Sequence, residues 1–134
     1  MNVFVDTSVW SLAFRRDAPS GPEVDLLERS IAGGDTIITT GIVLQELLQG
    51  FHGPKAADQI VKRFSLLPVI APKIEDHVEA ARWRNLCRRK GIQVGTIDAL
   101  IGQLCIRHDL QLLARDDDFR HMAEHTPLSL LAGR

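Results

Sequence analysis

The feature that most constrains the fold is an alternation of short, strand-like runs with longer helical patterns along the 134 residues. Val3–Val5, Thr36–Thr40 and Leu110–Ala114 are short and rich in apolar or β-branched side chains, which is typical of strands. Between these runs, apolar residues recur at helical spacing. Strands that alternate with helices favour a mostly parallel sheet covered on both faces. We therefore expect an α/β fold, a three-layer α/β/α sandwich around a mostly parallel central sheet.

Proline, glycine and capping residues predict where the remaining elements begin and end. In the first half of the chain we predict a helix from Asp6, a helix from Pro22 that turns Val24, Leu27 and Ile31 inward, a helix over Ile42–Phe51, and a helix after Pro54 that carries Ile60, Val61 and Phe64. A weak strand at Pro68–Ile70 and a helix over Ile74–Lys90 follow. The last elements are a helix over Ile97–His108 capped by Thr96, a short helix after Asp116, and an edge strand at Leu128–Leu131.

The length and charge of the chain limit the classes of function. Residues 1–134 suit a single domain, and a formal net charge of −1 excludes a protein that binds nucleic acid through a generally basic surface. Cys87 and Cys105 are too far apart for a CxxC pair and lie in predicted helices, so we expect reduced thiols and a cytoplasmic protein. We expect no export signal at the N-terminus and no membrane segment, since the apolar helix near Asp98 is too short to span a membrane.

Four carboxylates fall where a parallel sheet would gather them. Asp6 ends the first strand, and Asp116 follows the strand at Leu110–Ala114. Glu46 and Asp98 lie in the first turns of helices, where side chains lean toward the helix N-terminus and so toward the same edge of the sheet. Because ligands bind outside the carboxyl ends of parallel strands, all four acids are expected to converge on one pocket.

Acids that lie this close repel one another, and a divalent cation would resolve the repulsion. Taken singly, Asp6 could cap a helix and Asp98 could be a favourable first-turn carboxylate. However, Asp98 and Glu46 interrupt strongly apolar helices and have no adjacent Lys or Arg. The pattern therefore predicts Mg²⁺ or Mn²⁺ and phosphodiester hydrolysis, with Asp6, Asp98 and Asp116 as metal ligands and Glu46 positioning a water molecule. No covalent nucleophile is needed.

Four segments match those of a known family: Val3–Trp10, Val43–Leu47, Thr96–Ile101 and Leu112–Phe119. Through these segments the chain resembles a PIN-domain ribonuclease, and more narrowly the VapC-type toxin of a bacterial or archaeal toxin–antitoxin pair. Their order and spacing cover nearly the whole chain. The resemblance implies a single PIN domain, a Mg²⁺- or Mn²⁺-dependent endoribonuclease with the four acids as its site, a homodimer, and a small antitoxin protein that blocks the groove of the active site.

The chain departs from the family pattern in the segment of the last acid. The family commonly has a Thr-x-Asp-x-Asp-Phe-like stretch, whereas Ala114 stands in place of the threonine here, so that a supporting hydroxyl is missing. Asp116 is the predicted fourth acid and Asp118 the alternative. Thr7 matches the family's Asp-Thr or Asp-Ser pair and is expected to support the first acid.

Cationic residues near these acids are candidates for contacts with RNA. Arg15 and Arg16, which leave the first helix, are predicted to hold substrate phosphates. The helix near residue 85 is also basic, and either a solvated helix face or an RNA contact explains it; we interpret Trp83 on this helix as a core residue. The basic residues of this helix are Arg82, Arg84, Arg88, Arg89 and Lys90.

Three other interpretations of the sequence were weighed. A PIN-like module that binds RNA or a partner without cutting is favoured only by Ala114. A phosphotransfer enzyme with Asp6 as nucleophile commonly has a second aspartate two residues later, where this chain has Ser8. The stretch His121–His125 matches the zinc pattern H-x-x-E-H, but no further Asp, Glu, His or Cys follows it as a ligand. The acids fit one or two metal ions, and the RNA substrate is left open.

Overall fold

The computed structural model describes residues 1–15, 17 and 20–131 of the chain. These residues form four strands: β1 (Asn2–Val5), β2 (Thr36–Ile38), β3 (Gln111–Leu113) and β4 (Ser129–Leu130). They also form seven helices: α1 (Thr7–Ala13), α2 (Pro22–Ala32), α3 (Gly41–Gly50), α4 (Pro54–Phe64), α5 (Ile74–Arg89), α6 (Thr96–Arg107) and α7 (Asp117–Ala123). The predicted alternation of strands and helices is confirmed.

The central sheet is parallel throughout, with strand order β2-β1-β3-β4. In its register, Val3 of β1 lies opposite Ile37 of β2, and Phe4 lies opposite Leu112 of β3. Val3, Phe4 and Val5 are all fully buried, so both faces of β1 are covered. Burial on both faces is typical of a parallel sheet between two layers of helices, and the predicted α/β/α architecture is confirmed.

The topology creates a crevice beside the end of β1. Strand β2 pairs with one edge of β1, whereas β3 pairs with the other edge of β1 and is followed by β4. Such a change of direction leaves space between neighbouring loops at the carboxyl ends of the strands. Asp6 directly follows β1, and its backbone N–H donates to the carbonyl oxygen of Leu113 at 2.9 Å. The crevice therefore lies where β1 and β3 end.

Two local predictions were wrong. The run Pro68–Ile70 forms one parallel bridge, between Val69 and Thr39, instead of a strand. Proline at residue 68 has no N–H to donate, which limits the pairing. The N-cap of α6 is Gly95 and not Thr96, and its backbone is extended. A glycine has no side chain to cap with, so the first turn of α6 has no side-chain cap.

One apolar residue predicted to face inward is instead exposed, and a second apolar residue on another helix is exposed as well. Ile31 in α2 is 53% exposed, because the buried stripe of that helix continues to Ser30, whose hydroxyl donates to Asp35 at 2.7 Å. In α4, Val61 is 47% exposed while Ile60 is buried. A helix buries only one stripe of side chains, and here the polar residue fits the stripe better than its apolar neighbour.

Other expectations for the interior hold. Cys87 and Cys105 are buried free thiols. Trp83 packs partly buried against the core, and its indole N–H donates to Gln103 at 2.8 Å. In the part of the chain that the structure describes, no helix combines the length and apolar character needed to cross a membrane.

A buried ion pair joins α5 to α6, and the sequence reasoning had missed it. Asp76 is completely buried and accepts hydrogen bonds from Arg107 Nε at 2.7 Å and Arg107 Nη2 at 2.8 Å. The Lys73 backbone N–H and the Gln103 side-chain amide also donate to it, at 2.8 Å and 3.2 Å. Burial alone would raise the pKa of Asp76, but these hydrogen bonds outweigh it and hold the pKa well below its usual range. The network fixes α6 against α5.

Asp76→Asn should lower the free energy of unfolding by about 3 kcal/mol at pH 7, because it leaves Arg107 without its counter-charge. The contribution of Asp76 is full above the unfolded pKa of about 4 and is lost as the pH falls toward the lowered folded pKa. Chemical denaturation across this pH range measures the effect. The control is Asp58→Asn, which removes an exposed pair with Lys62 and should cost no more than about 0.5 kcal/mol. Equal losses in the two variants would contradict a structural role for Asp76.

Candidate metal centre

Three carboxylates meet at the crevice between β1 and β3. Asp98, Asp116 and Asp118 each offer an oxygen, and these oxygens all lie within 4.8 Å of one another. Within residues 1–15, 17 and 20–131, this is the one group of three or more His, Cys, Asp or Glu side chains that could hold a common metal ion. The three residues are called the carboxylate triad below.

Helix starts position the members of the triad. Asp116 is the N-cap of α7, and one of its carboxylate oxygens accepts the backbone N–H of Asp118 at 3.0 Å. This local turn brings residues two apart to the same place. Asp117 between them is exposed and pairs with Arg120 at 2.8 Å. Asp98 reaches the triad from the first turn of α6. The structure thus brings both candidates for the fourth acid, Asp116 and Asp118, into the group.

Asp6 lies beside the triad and is held by Ser8. It is only 6% exposed, caps α1, and its Oδ2 accepts the Ser8 backbone N–H at 3.1 Å and the Ser8 hydroxyl at 2.6 Å. Burial raises the pKa of Asp6, the hydrogen bonds from Ser8 oppose that rise, and the charge of Asp116 adds to it. Oδ1 of Asp6 accepts no hydrogen bond from the described residues.

Ser8 also connects Asp6 to the segment that carries the triad. Its hydroxyl oxygen accepts the backbone N–H of Arg115 at 3.2 Å while it donates to Asp6. The sequence reasoning had given Ser8 no supporting role. The signal was a short hydroxyl residue two positions after an N-cap aspartate. Ser8 supplies a hydroxyl next to Ala114, where the family's usual threonine is absent.

Glu46 faces the same end of α1. The Thr7 hydroxyl donates to Glu46 Oε1 at 2.8 Å and thereby ties α1 to α3. Thr7 was expected to support the first acid. Its backbone N–H lowers the pKa of Asp6, while its side-chain hydroxyl donates to Glu46. Glu46 is partly exposed, and within the described residues its Oε2 accepts no hydrogen bond.

The acids act on one another electrostatically. Desolvation, together with the negative charges of Asp6, Asp116, Asp118 and Glu46, raises the pKa of Asp98 to about 7. None of these five carboxylates has a Lys, Arg or His nitrogen within 4.0 Å among the described residues. Asp76 shows the opposite arrangement, since Arg107 supplies its counter-charge. The five acids near β1, in contrast, bring negative charge together without a neighbouring cation.

The donor set suits a hard divalent cation. Carboxylate oxygens are preferred by Mg²⁺ and Mn²⁺, and the group formed by the described residues consists of carboxylates alone. The zinc pattern at His121–His125 does not form a group of metal ligands in the described part of the chain. Asp98, Asp116 and Asp118 therefore fit a magnesium or manganese ion, with Asp6 and Glu46 close by.

The predicted cations differ in their surroundings. Arg15 lies exposed just beyond the end of α1, and Arg16 lies outside the described residues. On α5, two of the basic side chains are engaged locally: Arg82 pairs with Glu79, and Arg84 Nε donates to the carbonyl of Val94 at 2.8 Å. The basic face of α5 is therefore partly structural.

Comparisons with known proteins agree with this fold. The family model of the PIN domain matches residues 3–125. VapBC2 from Rickettsia felis, solved with a promoter DNA fragment, superposes with a TM-score of 0.77 at 20% identity, covering 98% of each chain. VapBC-1 from nontypeable Haemophilus influenzae has a TM-score of 0.76 at 14% identity, covering 98% of this chain and 97% of its own.

A third solved structure is VapC20 of Mycobacterium tuberculosis, a toxin that cleaves the sarcin–ricin loop. Its TM-score is 0.67 at 22% identity, with 94% of this chain and 98% of that chain covered. The comparison with curated proteins finds no match. The three structures are similar to this chain in fold over almost its whole length.

Asp98→Asn should stabilise the metal-free protein, because it removes a charge from a site that already repels it. Asp98 has an unfolded pKa of about 4 and a folded pKa of about 7, so its ionisation weakens the fold progressively as the pH rises through this window. We expect a gain of about 2 kcal/mol at pH 8 in EDTA, discounted for partial exposure, and a smaller gain at pH 5. Chemical denaturation measures both.

The matched control is Asp117→Asn, an exposed acid outside the triad, which should change stability by no more than about 0.5 kcal/mol. Destabilisation by Asp98→Asn at pH 8 would contradict the repulsion described here and would give Asp98 a structural role like that of Asp76.

Proposed function

The chain belongs to the PIN-domain family, and on that premise we propose that it is a divalent-metal-dependent endoribonuclease, the toxin of a type II toxin–antitoxin pair. The observation that carries the proposal is the carboxylate triad, whose oxygens lie within 4.8 Å of one another and form no ion pair with another described residue. Charge held in this way is costly to the fold and is useful when a metal ion binds. A metal site on a PIN scaffold favours hydrolysis of a phosphodiester.

The residues divide the work between binding the metal and positioning water. Asp98, Asp116 and Asp118 would hold Mg²⁺ or Mn²⁺, and Asp6 would contribute through its unengaged Oδ1. When bound, such a cation neutralises charge on the scissile phosphate and makes a water molecule more acidic. Glu46, whose Oε1 is held by Thr7, has Oε2 available to orient the attacking water and accept its proton.

Ser8 acts as a positioning residue. By donating to Asp6 and accepting from Arg115, it holds the first acid at a fixed distance from the segment that carries Asp116 and Asp118. Hydrogen-bond partners of metal ligands commonly set ligand orientation and affinity. A binding module without catalysis was favoured by the missing hydroxyl at Ala114, and the hydroxyl of Ser8 weakens that alternative.

An antitoxin protein and a second copy of the chain complete the proposal. Two of the similar structures are VapBC proteins, which supports an antitoxin partner for this chain. Ile74, Val78 and Ile97 are exposed at the starts of α5 and α6, and exposed apolar surface of this kind supports a homodimer. The expected gene context is a short antitoxin gene directly beside this one, and a toxin gene standing alone would contradict the pairing.

The purified protein should cut RNA in Mg²⁺ or Mn²⁺ and lose this activity in EDTA. Asp6→Asn and Asp98→Asn should each lower the cleavage rate by about 100-fold or more, because they weaken metal binding while keeping the side-chain shape. Gel analysis of RNA cleavage measures the loss, and circular dichroism checks that the variants fold. Expression of the wild-type chain should arrest growth, and Asp98→Asn should relieve the arrest.

Asp117→Asn is the matched control for the acid substitutions. It lies between Asp116 and Asp118 but faces Arg120, so its cleavage rate should equal that of the wild type. Full activity in both Asp6→Asn and Asp98→Asn would rule out this site. Growth arrest that persists in Asp98→Asn would favour the non-catalytic binding module.

A further inference from the structure

A groove of about 550 Å³ opens between the end of α1 and the last turns of α4. We call it the α1–α4 groove; it is lined mainly by Phe14, Arg15, Gln59, Lys62, Arg63 and Leu66. The groove is separate from the carboxylate triad, and none of its lining residues takes part in the mechanism above. The groove combines cationic side chains with an aromatic ring, a composition that favours binding of an anionic ligand with a planar group.

The groove concentrates positive charge on a chain whose net charge is −1. Arg15 and Arg63 have no carboxylate within 4.0 Å among the described residues, and Lys62 pairs only with the exposed Asp58, at 3.1 Å. An exposed pair of this kind is weak and leaves the ammonium available. Lys62 and Arg63 favour the dipole at the end of α4, but that role does not explain Arg15 on the opposite wall.

The aromatic wall of the groove is held rigidly from behind. Phe14 stacks on Trp10, with ring centroids 5.8 Å apart and planes inclined by 28°. Phe51 meets Phe14 edge-on at 6.5 Å, and Phe64 contacts Trp10 at 5.1 Å. Phe14 is only partly buried in this cluster and borders the groove. A fixed aromatic ring beside unpaired cations is the typical composition of a site for single-stranded nucleic acid.

The groove also lies within reach of the metal centre. Asp6 caps the start of α1, Phe14 caps its end, and the seven helical residues between them span about 10 Å. Thr7 contacts Glu46 at one end of α1, and Phe14 contacts Phe51 at the other, so α1 and α3 run side by side from the acids toward the groove. A single strand with its scissile phosphate at the acids would therefore need to extend by about two nucleotides to reach the groove.

We propose that the α1–α4 groove is a nucleotide subsite for single-stranded RNA, within about two nucleotides of the scissile bond. Phe14 stacks a base, and Arg15 and Arg63, assisted by Lys62, hold the adjacent phosphates. This inference rests on the proposed ribonuclease activity and deepens it, because it requires unpaired nucleotides close to the cleaved bond.

Salt-dependent binding tests the ionic contacts. The background is Asp98→Asn in Mg²⁺, which prevents cleavage, and the probe is a short fluorescein-labelled single-stranded RNA of mixed sequence, followed by anisotropy. Arg15→Gln with Arg63→Gln should weaken binding by about 10-fold or more at low salt. The slope of log K against log salt should fall by about 1.4, since each phosphate contact on a single strand contributes about 0.7.

A matched pair on α5, Arg88→Gln with Arg89→Gln, removes the same charge elsewhere and should leave the slope unchanged. Phe14→Leu tests the stacking contact: it keeps an apolar side chain, so the fold should survive, and thermal unfolding checks this. Binding should weaken by about 5-fold with no change of slope, because stacking releases no counterions.

The outcomes separate this inference from the proposed function. If the wild type cleaves RNA but the groove variant keeps the wild-type slope, the subsite is overturned and the ribonuclease stands. If RNA binding is unaffected by the groove variants and an acidic antitoxin protein no longer inhibits them, the groove binds protein and not RNA. If the wild type shows no metal-dependent cleavage, both the function and the subsite fail.

Discussion

Repulsion among carboxylates is the constraint on which the rest of this structure depends. Asp98, Asp116 and Asp118 are held within 4.8 Å of one another, and burial with the surrounding charge raises the pKa of Asp98 to about 7. A fold gains nothing from such an arrangement by itself. The parallel sheet must therefore be strong enough to hold the acids together. The fully buried strand β1 and the crevice at its end provide that strength and that position.

The two groups of acids differ in whether a cation is paired with them. Asp76 is completely enclosed, and a bidentate guanidinium with two further donors neutralises it. Asp6 and Glu46 receive hydroxyl donors from Ser8 and Thr7, which orient the carboxylates without cancelling their charge. The first arrangement holds α6 against α5, and α6 carries Asp98. The ion pair between Asp76 and Arg107 thus helps to hold Asp98 in its position.

The sequence was sufficient to predict the architecture and the region of the site, because both follow from topology. Strands that alternate with helices predict a parallel sheet. Asp6 and Asp116 each follow a strand of that sheet, so both lie at its carboxyl edge. Side-chain partners were harder to predict. The pair between Asp76 and Arg107 joins residues 31 apart, and periodicity carries no information about such a contact.

Local geometry decided the remaining differences. Asp116 and Asp118 looked like alternatives in the sequence, but an N-cap turn brings positions two apart to one place. The sequence did not predict that the Thr7 hydroxyl donates to Glu46, because Glu46 lies on another helix, 39 residues away. Ile31 was predicted inside from its apolarity, whereas Ser30 continues the buried stripe of α2.

Anomalous diffraction from crystals grown with Mn²⁺ tests the central claim most directly. The account predicts a manganese peak among the carboxylates, about 2 Å from oxygens of Asp98 and at least one of Asp116 and Asp118, and no such peak in crystals of the Asp98→Asn variant. Manganese bound only elsewhere on the surface, or the same peak in the variant, would show that these acids do not share a cation.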